Sequence, residues 1–175
     1  MGDAVRLQGS WHAVSGNAIA IAGGAGVVVD GSSFQVEDNT IAQTGGVGVV
    51  ATGPGCMVDG NTLTDTRGGA IDVQGGGAVI AANTSTRAGG DAIVASGVMI
   101  RLIGNRVLDA KGDAIVLFGD LGTLQDNVCR HALGNGIHVA SGNGNVLDGN
   151  TVLLCGLAGF LDEGVGTVLL GNKID

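Results

Sequence analysis

Aromatic residues and proline are almost absent from this chain. Its 175 residues include no tyrosine, one proline, one tryptophan and three phenylalanines. No apolar run approaches the roughly 18 residues that a membrane-spanning helix requires, so the sequence predicts no membrane span. The chain does not open with the basic segment and apolar stretch of a secretion signal. We therefore expect that any secretion signal was removed or belongs to a missing part of a longer protein.

Basic residues are also scarce. The chain has 8 Lys and Arg against 16 Asp and Glu, which gives a net charge of -8. Because each phosphate neutralised in a nucleic-acid complex requires its own cation, we expect no nucleic-acid partner. The cysteines Cys56, Cys129 and Cys155 are odd in number and lie at different points of the pattern described below. They indicate small buried side chains and no disulfide.

Motifs that hold a cofactor or a metal are missing as well. The glycine-rich turn at residues 75–77 has the composition of a phosphate cradle, but no strand-to-helix switch follows it. The nine-residue glycine and aspartate repeat of calcium-binding rolls is absent. We therefore expect no cofactor and no bound metal.

The chain does contain an asparagine at a fixed interval. The series is Asn17, Asn39, Asn61, Asn83, Asn105, Asn127, Asn150 and Asn172. Successive members are 22 residues apart, except for one spacing of 23. A constant period between about 20 and 50 residues is typical of a solenoid, in which each repeat buries its apolar face against the next. The period predicts one domain over residues 1–175, and because no capping helix covers either end, we expect a module of a larger protein or assembly.

Three apolar positions recur around each asparagine. They lie three residues before it, two after it and ten after it, and a glycine commonly stands seven after it; around Asn105 these are Leu102, Val107, Ile115 and Gly112. Three apolar anchors in each period and no 3.6-residue pattern predict three short strands per coil. The expected fold is all-β, a parallel β-helix of about eight coils. Its inward asparagines should hydrogen-bond their copies in the adjacent coils as a ladder.

Frames such as GDAIVASG at 90–97 and GNGIHVASG at 134–142 give the chain a family resemblance. The chain resembles the right-handed parallel β-helix superfamily of pectin-lyase-like proteins over nearly its whole length. The resemblance implies a right-handed coil. That superfamily includes polysaccharide lyases, hydrolases and epimerases, but also phage tailspikes and non-catalytic surface modules, so the fold does not decide the function.

The same resemblance indicates where catalytic residues would lie. Pectin hydrolases of this superfamily carry an aspartate pair in a GDD-x-I frame, a GHG frame one coil later and an RIK motif beyond it. Here residues 112–115 read GDAI with a single aspartate, Asn135 replaces the histidine, and no RIK follows. Lyases and epimerases commonly use tyrosine, which this chain lacks. Because glycosidic chemistry uses carboxylates beside a proton donor or cation, the candidate catalytic residues are Asp91, Asp109, Lys111, Asp113 and His138.

A structural interpretation of the charged residues stands beside the catalytic one. Four residues after the asparagine, the middle coils carry Asp65, Arg87, Asp109 and His131 in alternating sign. Equivalent side chains in adjacent coils lie about 4.8 Å apart. The pattern therefore predicts a surface charge ladder that helps to fix coil register, each link contributing about 0–1 kcal/mol.

The outward positions of one strand are largely aliphatic. They include Val28, Val50, Val94 and Val116, with Phe118 beside them. Such a face predicts an interface with another chain. The alternative is that β-branched residues are simply favoured in strands.

The sequence thus favours a non-catalytic structural or adhesion module that self-associates, as a homo-oligomer or with the rest of a larger chain, and that contacts polysaccharide. The expected location is extracellular, on a cell surface or on a virion. The alternative is a carbohydrate-active enzyme, a polysaccharide hydrolase, lyase or epimerase, or a degenerate relative of one.

Overall fold

The computed structural model describes residues 2–175, which form 24 strands, numbered β1 to β24 in chain order, and no helix. The first sheet contains β1 (Val5–Gln8), β4 (Val27–Asp30), β7 (Val49–Thr52), β10 (Ile71–Gln74), β13 (Ile93–Ser96), β16 (Ile115–Phe118), β19 (Ile137–Ser141) and β22 (Phe160–Asp162). The second contains β2 (Ala13–Ser15), β5 (Gln35–Glu37), β8 (Met57–Asp59), β11 (Val79–Ala81), β14 (Arg101–Ile103), β17 (Thr123–Gln125), β20 (Val146–Asp148) and β23 (Val168–Leu170). The third contains β3 (Ala18–Ile19), β6 (Thr40–Ala42), β9 (Thr62–Thr64), β12 (Thr84–Thr86), β15 (Arg106–Leu108), β18 (Val128–Arg130), β21 (Thr151–Leu153) and β24 (Lys173–Ile174).

Each coil contributes one strand to each sheet, and every strand pairs in parallel with the strand three later in the chain. The register advances by one period, so Ile71 lies between Val49 and Ile93. The prediction of an all-β parallel β-helix with eight coils and three strands per coil is confirmed. No helix in residues 2–175 is long and apolar enough to cross a membrane.

The predicted asparagine ladder is present in the interior of the coil stack, as Asn105 illustrates. Its Nδ2 donates to Asn127 Oδ1 at 3.0 Å and to the Ile80 carbonyl at 2.8 Å, and its backbone N–H donates to the same Oδ1 at 2.9 Å. Its own Oδ1 accepts from the N–H and Nδ2 of Asn83 at 3.1 and 3.0 Å. Each buried amide therefore binds a carbonyl of the preceding coil and the asparagine side chain of the following one, and so joins three coils. The six ladder members from Asn39 to Asn150 are buried.

Apolar columns fill the space between the three sheets. Ile41, Leu63, Val107 and Val152 share one column, two residues after the asparagine, and are buried. Ser85 occupies this column in the fourth coil, and its buried hydroxyl has no hydrogen-bond partner in residues 2–175. Among the cysteines, none of which forms a disulfide, Cys56 and Cys129 are buried and Cys155 is half-buried.

A glycine column turns the chain out of the first sheet. Its members have φ between 117° and 153°, and they are Gly9, Gly31, Gly53, Gly75, Gly97, Gly119 and Gly142. A Cβ on Gly97 would come within 2.7 Å of the Gly75 carbonyl carbon. Only glycine fits both the dihedral angle and the close backbone stacking at this corner.

The single 23-residue spacing has a local explanation in the first sheet. Leu117 pairs with Val139, but the next residue, Phe118, pairs with Ser141. Ala140 is therefore the extra residue, and it lies in a β-bulge. The bulge absorbs the insertion before Asn150, so the ladder continues without a break.

The last coil departs from the repeat. Leu157 stands where the earlier coils have glycine, and it is exposed. Asp162 lies in register with Val139, in a column of small and aliphatic residues, and its Oδ1 accepts from Gly164 N–H at 3.0 Å and Thr167 Oγ1 at 3.1 Å. These local bonds hold the carboxylate at an exposed edge of the coil stack.

An Asn105→Ala variant tests the ladder. The substitution removes the partners of the Asn83 N–H and the Ile80 carbonyl inside the coil stack. Unsatisfied buried groups cost about 1–3 kcal/mol each, so we expect a loss of about 3 kcal/mol or more in the free energy of unfolding, measured by urea denaturation.

The matched control is Asn17→Ala, at the exposed first member of the ladder. We expect it to cost less than about 1 kcal/mol because water replaces the lost partners. Equal losses for the two variants would contradict a role for burial of the ladder.

Candidate functional site

Asp91 and Asp113, both predicted as catalytic, lie in one column with Asn135. Asp91 Oδ1 accepts from the Asp113 N–H at 2.8 Å, and Asp113 Oδ1 accepts from the Asn135 N–H at 2.6 Å. Asn135 Oδ1 accepts in turn from the Ala158 N–H at 3.1 Å. Each of these side chains therefore binds the backbone of the following coil. This pattern gives the aspartates a structural use that needs no substrate.

His138 lies between two carboxylates from different coils. Its Nδ1 is 2.9 Å from Asp113 Oδ2, and its Nε2 is 3.0 Å from Glu163 Oε2. The side chains of His138 and Asp113 are 18% and 15% exposed, whereas that of Glu163 is 58% exposed. We call Asp113, His138 and Glu163 the histidine clamp, since together they join three successive coils.

The pKa of His138 is raised above its ordinary value of 6.5. Burial by itself disfavours the charged ring, but the hydrogen bonds to Glu163 and Asp113 and the charges of both carboxylates outweigh it. The clamp therefore favours an imidazolium that donates from both nitrogens.

The remaining catalytic candidates lie elsewhere. Asp109 Oδ1 is 3.3 Å from His131 Nδ1, in a surface pair whose side chains are about half exposed. Lys111 is exposed and forms no ion pair with a described carboxylate. Of the five predicted catalytic residues, the structure brings only Asp113 and His138 into side-chain contact, with Asp91 bonded to the Asp113 backbone.

The charge ladder forms as two separate pairs. Arg87 binds Asp65 in a bidentate manner, with Nε to Oδ1 at 2.6 Å and Nη2 to Oδ2 at 2.8 Å. This hydrogen bonding lowers the pKa of Asp65. Asp109 and His131 form the second pair. All four residues have φ between 54° and 58°, so the ladder projects from a left-handed bend.

The exposed aliphatic face of the first sheet is smaller than the alternation of inward and outward side chains along its strands predicts. Val28, Val50 and Val94 are partly exposed, and Phe118 is 42% exposed. Val116 is only 3% exposed, so its assignment to an accessible face is wrong. It lies in register between Val94 and His138, and the clamp packs the larger histidine ring beside it.

The clamp has little capacity for proton-transfer chemistry. Both ring nitrogens of His138 are engaged by carboxylates, so neither is free to accept or donate a proton to a substrate. None of the polar contacts of His138 is a hydroxyl or thiol that the ring could activate as a nucleophile. Within residues 2–175, no group of three or more His, Cys, Asp or Glu side chains is placed to hold a metal ion.

Glu163 is the clamp member that the sequence analysis missed. It lies in the irregular last coil, where the repeat no longer predicts which column a residue occupies. It is 25 residues after His138, and His138 is 25 residues after Asp113. A search for titratable residues at this recurring offset would have found it.

Comparison with protein-family models and with curated proteins gave no match. Among solved structures, the chain is similar to one titled "Geobacillus virus E2 - ORF18", with 11% identity and a TM-score of 0.43. The alignment covers 94% of this chain and 52% of that one, so this chain spans about half the length of the viral protein. A likeness at this level carries no argument about function. Membership of the pectin-lyase-like superfamily stays a prediction.

A His138→Gln variant tests the clamp through the pH dependence of stability. The folded pKa of His138 lies above the unfolded value of about 6.5, so the stabilisation is complete below that pH and is lost as pH rises through the folded pKa. We expect the difference in urea midpoint between wild type and variant to be largest near about pH 5.5 and to shrink at alkaline pH.

His131→Gln is the matched control, because it removes a histidine from an exposed surface pair. Its effect should stay below about 1 kcal/mol throughout. A His138→Gln difference that grows with pH would contradict the charged clamp.

Proposed function

We propose that this chain is a non-catalytic structural module, a rigid rod of stacked coils that serves within a larger assembly. The observation that carries the proposal is the histidine clamp. The side chains of Asp113, His138 and Glu163 bind one another and join one coil to the next, so they are not free to act on a substrate. At the usual strand spacing, eight coils give a rod roughly 38 Å long.

The enzymatic alternative receives little support from the same geometry. Glycoside hydrolysis needs two carboxyl groups that face the substrate, one of them free to transfer a proton. Asp91 and Asp113 instead accept hydrogen bonds from the backbone of the next coil, and Asp113 also binds His138. No pair in this column has the freedom that the reaction requires.

Contact with glycans is the adhesive part of the proposal. Arg67 and Lys111 lie two coils apart on one edge of the rod, and both are exposed without an ion-pair partner among the described residues. With Asp65, Thr66, Arg87 and Gly89 they line a shallow depression of about 340 Å³, in which the Asp65 carboxylate is already paired with Arg87. Two free cations suit an anionic group on a glycan. A location on a cell surface or a virion fits such a module and is part of the proposal.

The outer face of the first sheet is a weaker candidate for self-association than the sequence suggested. Asp72 interrupts it between Val50 and Val94, and Val116 is buried.

A cleavage assay tests the absence of catalysis. Wild type and Asp113→Ala are incubated with neutral glycans and polyuronates between about pH 4 and 9, a range that spans the titration of carboxylates and histidine. We expect no reducing ends and no unsaturated uronates from either protein.

Asp91→Ala is the control, because Asp91 belongs to the same column but does not contact His138. Wild-type activity that Asp113→Ala loses and Asp91→Ala keeps would place catalysis at the clamp and overturn the proposal. Activity of any kind in the purified wild type would count against a purely structural role.

A further inference from the structure

Cationic side chains lie along the bend that joins the third sheet to the first in the middle coils. Arg67 and Lys111 occupy one column of this bend, two coils apart, and Gly89 stands between them in that column. A Cβ at position 89 would overlap the Arg67 carbonyl oxygen, so the close stacking of the backbone excludes a side chain there. At the usual coil spacing, an open gap of about 10 Å therefore separates the two cationic residues.

Arg87 comes from the coil between them, and its guanidinium is held in place. Its Nε and Nη2 donate to the two carboxylate oxygens of Asp65 at 2.6 and 2.8 Å. A guanidinium has five N–H donors, so three remain for another acceptor. Because a bidentate pair fixes the plane of the guanidinium, it also orients these remaining donors. The depression of about 340 Å³ thus combines one oriented cation with two unpaired ones.

The charges of this depression match a dianion. Its lining contains one carboxylate and three cations, namely Asp65, Arg67, Arg87 and Lys111, which together carry a net charge of +2. Asp109 lies outside the lining and is paired with His131 at 3.3 Å. A phosphate monoester carries a charge of about −1.5 to −2 at neutral pH, whereas a carboxylate carries a single charge. Arginine also favours phosphate, because its planar set of N–H groups matches the phosphate oxygens.

A second depression adjoins the first on the side of the earlier coils. It has a volume of about 480 Å³ and shares Asp65 and Arg67 with the first depression. Gln43 and Gly45 line it one coil earlier, and Gln43 is exposed. An exposed amide offers both donors and an acceptor to the hydroxyl groups of a ligand. This space suits the sugar ring of a ligand whose anionic group lies beside Arg67.

We infer that the two depressions bind a sugar that carries a phosphate monoester, with the phosphate between Arg67 and Lys111 and the sugar beside Gln43. Arg87 binds the phosphate with the donors that Asp65 leaves free. The inference rests on the proposed glycan contact at this edge of the rod and names its anionic group. No bond is made or broken, so the site holds its ligand without acting on it.

Binding of a matched series of hexoses tests the inference. Glucose 6-phosphate, glucose 6-sulfate and glucuronate carry a phosphate ester, a sulfate ester and a carboxylate on the same carbon, and glucose carries no charge. Each is titrated into the isotope-labelled protein at about pH 7.5, where the phosphate is a dianion. NMR follows the Gly89 amide and the arginine Nε–H groups at low salt, which keeps screening small. We expect glucose 6-phosphate to bind at least about fivefold more tightly than the other two anions, and glucose to show no binding.

Inorganic phosphate serves as the comparison for the sugar. It has the same oxygens as the ester but makes no contact beside Gln43, so we expect it to bind more weakly than glucose 6-phosphate.

Substitutions of the cations locate the site. Arg67→Gln and Lys111→Gln should each weaken the binding of glucose 6-phosphate by about tenfold, because each removes a charge-assisted contact. Arg87→Lys keeps the charge but lacks the remaining guanidinium donors, and we expect a loss of about threefold or more. Arg101→Gln is the matched control, since Arg101 is an exposed residue of β14 outside both depressions. It should change the affinity by less than about twofold.

Several results would overturn the inference. Equal affinities for the three anionic sugars would indicate a general attraction of anions to the basic edge, and equal losses in Arg67→Gln and Arg101→Gln would place binding elsewhere. Inorganic phosphate that binds as tightly as glucose 6-phosphate would show that the sugar contributes nothing.

Phosphorus NMR of the same samples tests the structural function separately. Release of inorganic phosphate from glucose 6-phosphate would contradict a non-catalytic role. Neither binding nor release would overturn the phosphate site and leave the role as a rigid module intact.

Discussion

The hydrogen bond between a buried asparagine amide and its copy in the next coil is the interaction on which this structure depends. Each coil is too small to bury its own apolar residues, so it is stable only with a neighbour above and below. The amide fixes where its neighbours sit, because it binds a carbonyl of the preceding coil and the side chain of the next. One residue type at one position thus sets the register for the three sheets.

The same requirement explains how the charged residues are used. Asp91 and Asp113 bind the backbone of the following coil, Arg87 binds Asp65 across one coil, and His138 links the coils before and after it. Polar side chains in this chain therefore reinforce stacking in the same direction as the asparagines. A group committed to two neighbours in this way is poorly suited to bind and release a substrate, which is why the geometry favours a structural role.

The sequence predicted the regular part of the fold because each feature there repeats. The period, the apolar columns and the inward asparagines all follow from equivalent positions such as Asn83 and Asn105. The departures could not be predicted from the repeat. Ala140 bulges out of β19, Val116 is covered although strand alternation turns it outward, and Glu163 reaches His138 from a coil whose own pattern is broken. These features lie in three successive coils around His138 and depend on three-dimensional packing there.

Hydrogen exchange of the ladder amides tests the central claim most directly. The backbone N–H groups of Asn61, Asn83, Asn105 and Asn127 donate to buried side-chain oxygens, whereas Asn172 has no such acceptor among the described residues. The account predicts slow exchange, measured by NMR at a dilution where the protein is monomeric, for these four amides, and fast exchange for Asn172. Fast exchange at Asn83 and Asn105, in an otherwise protected core, would show that the ladder does not hold the coils together.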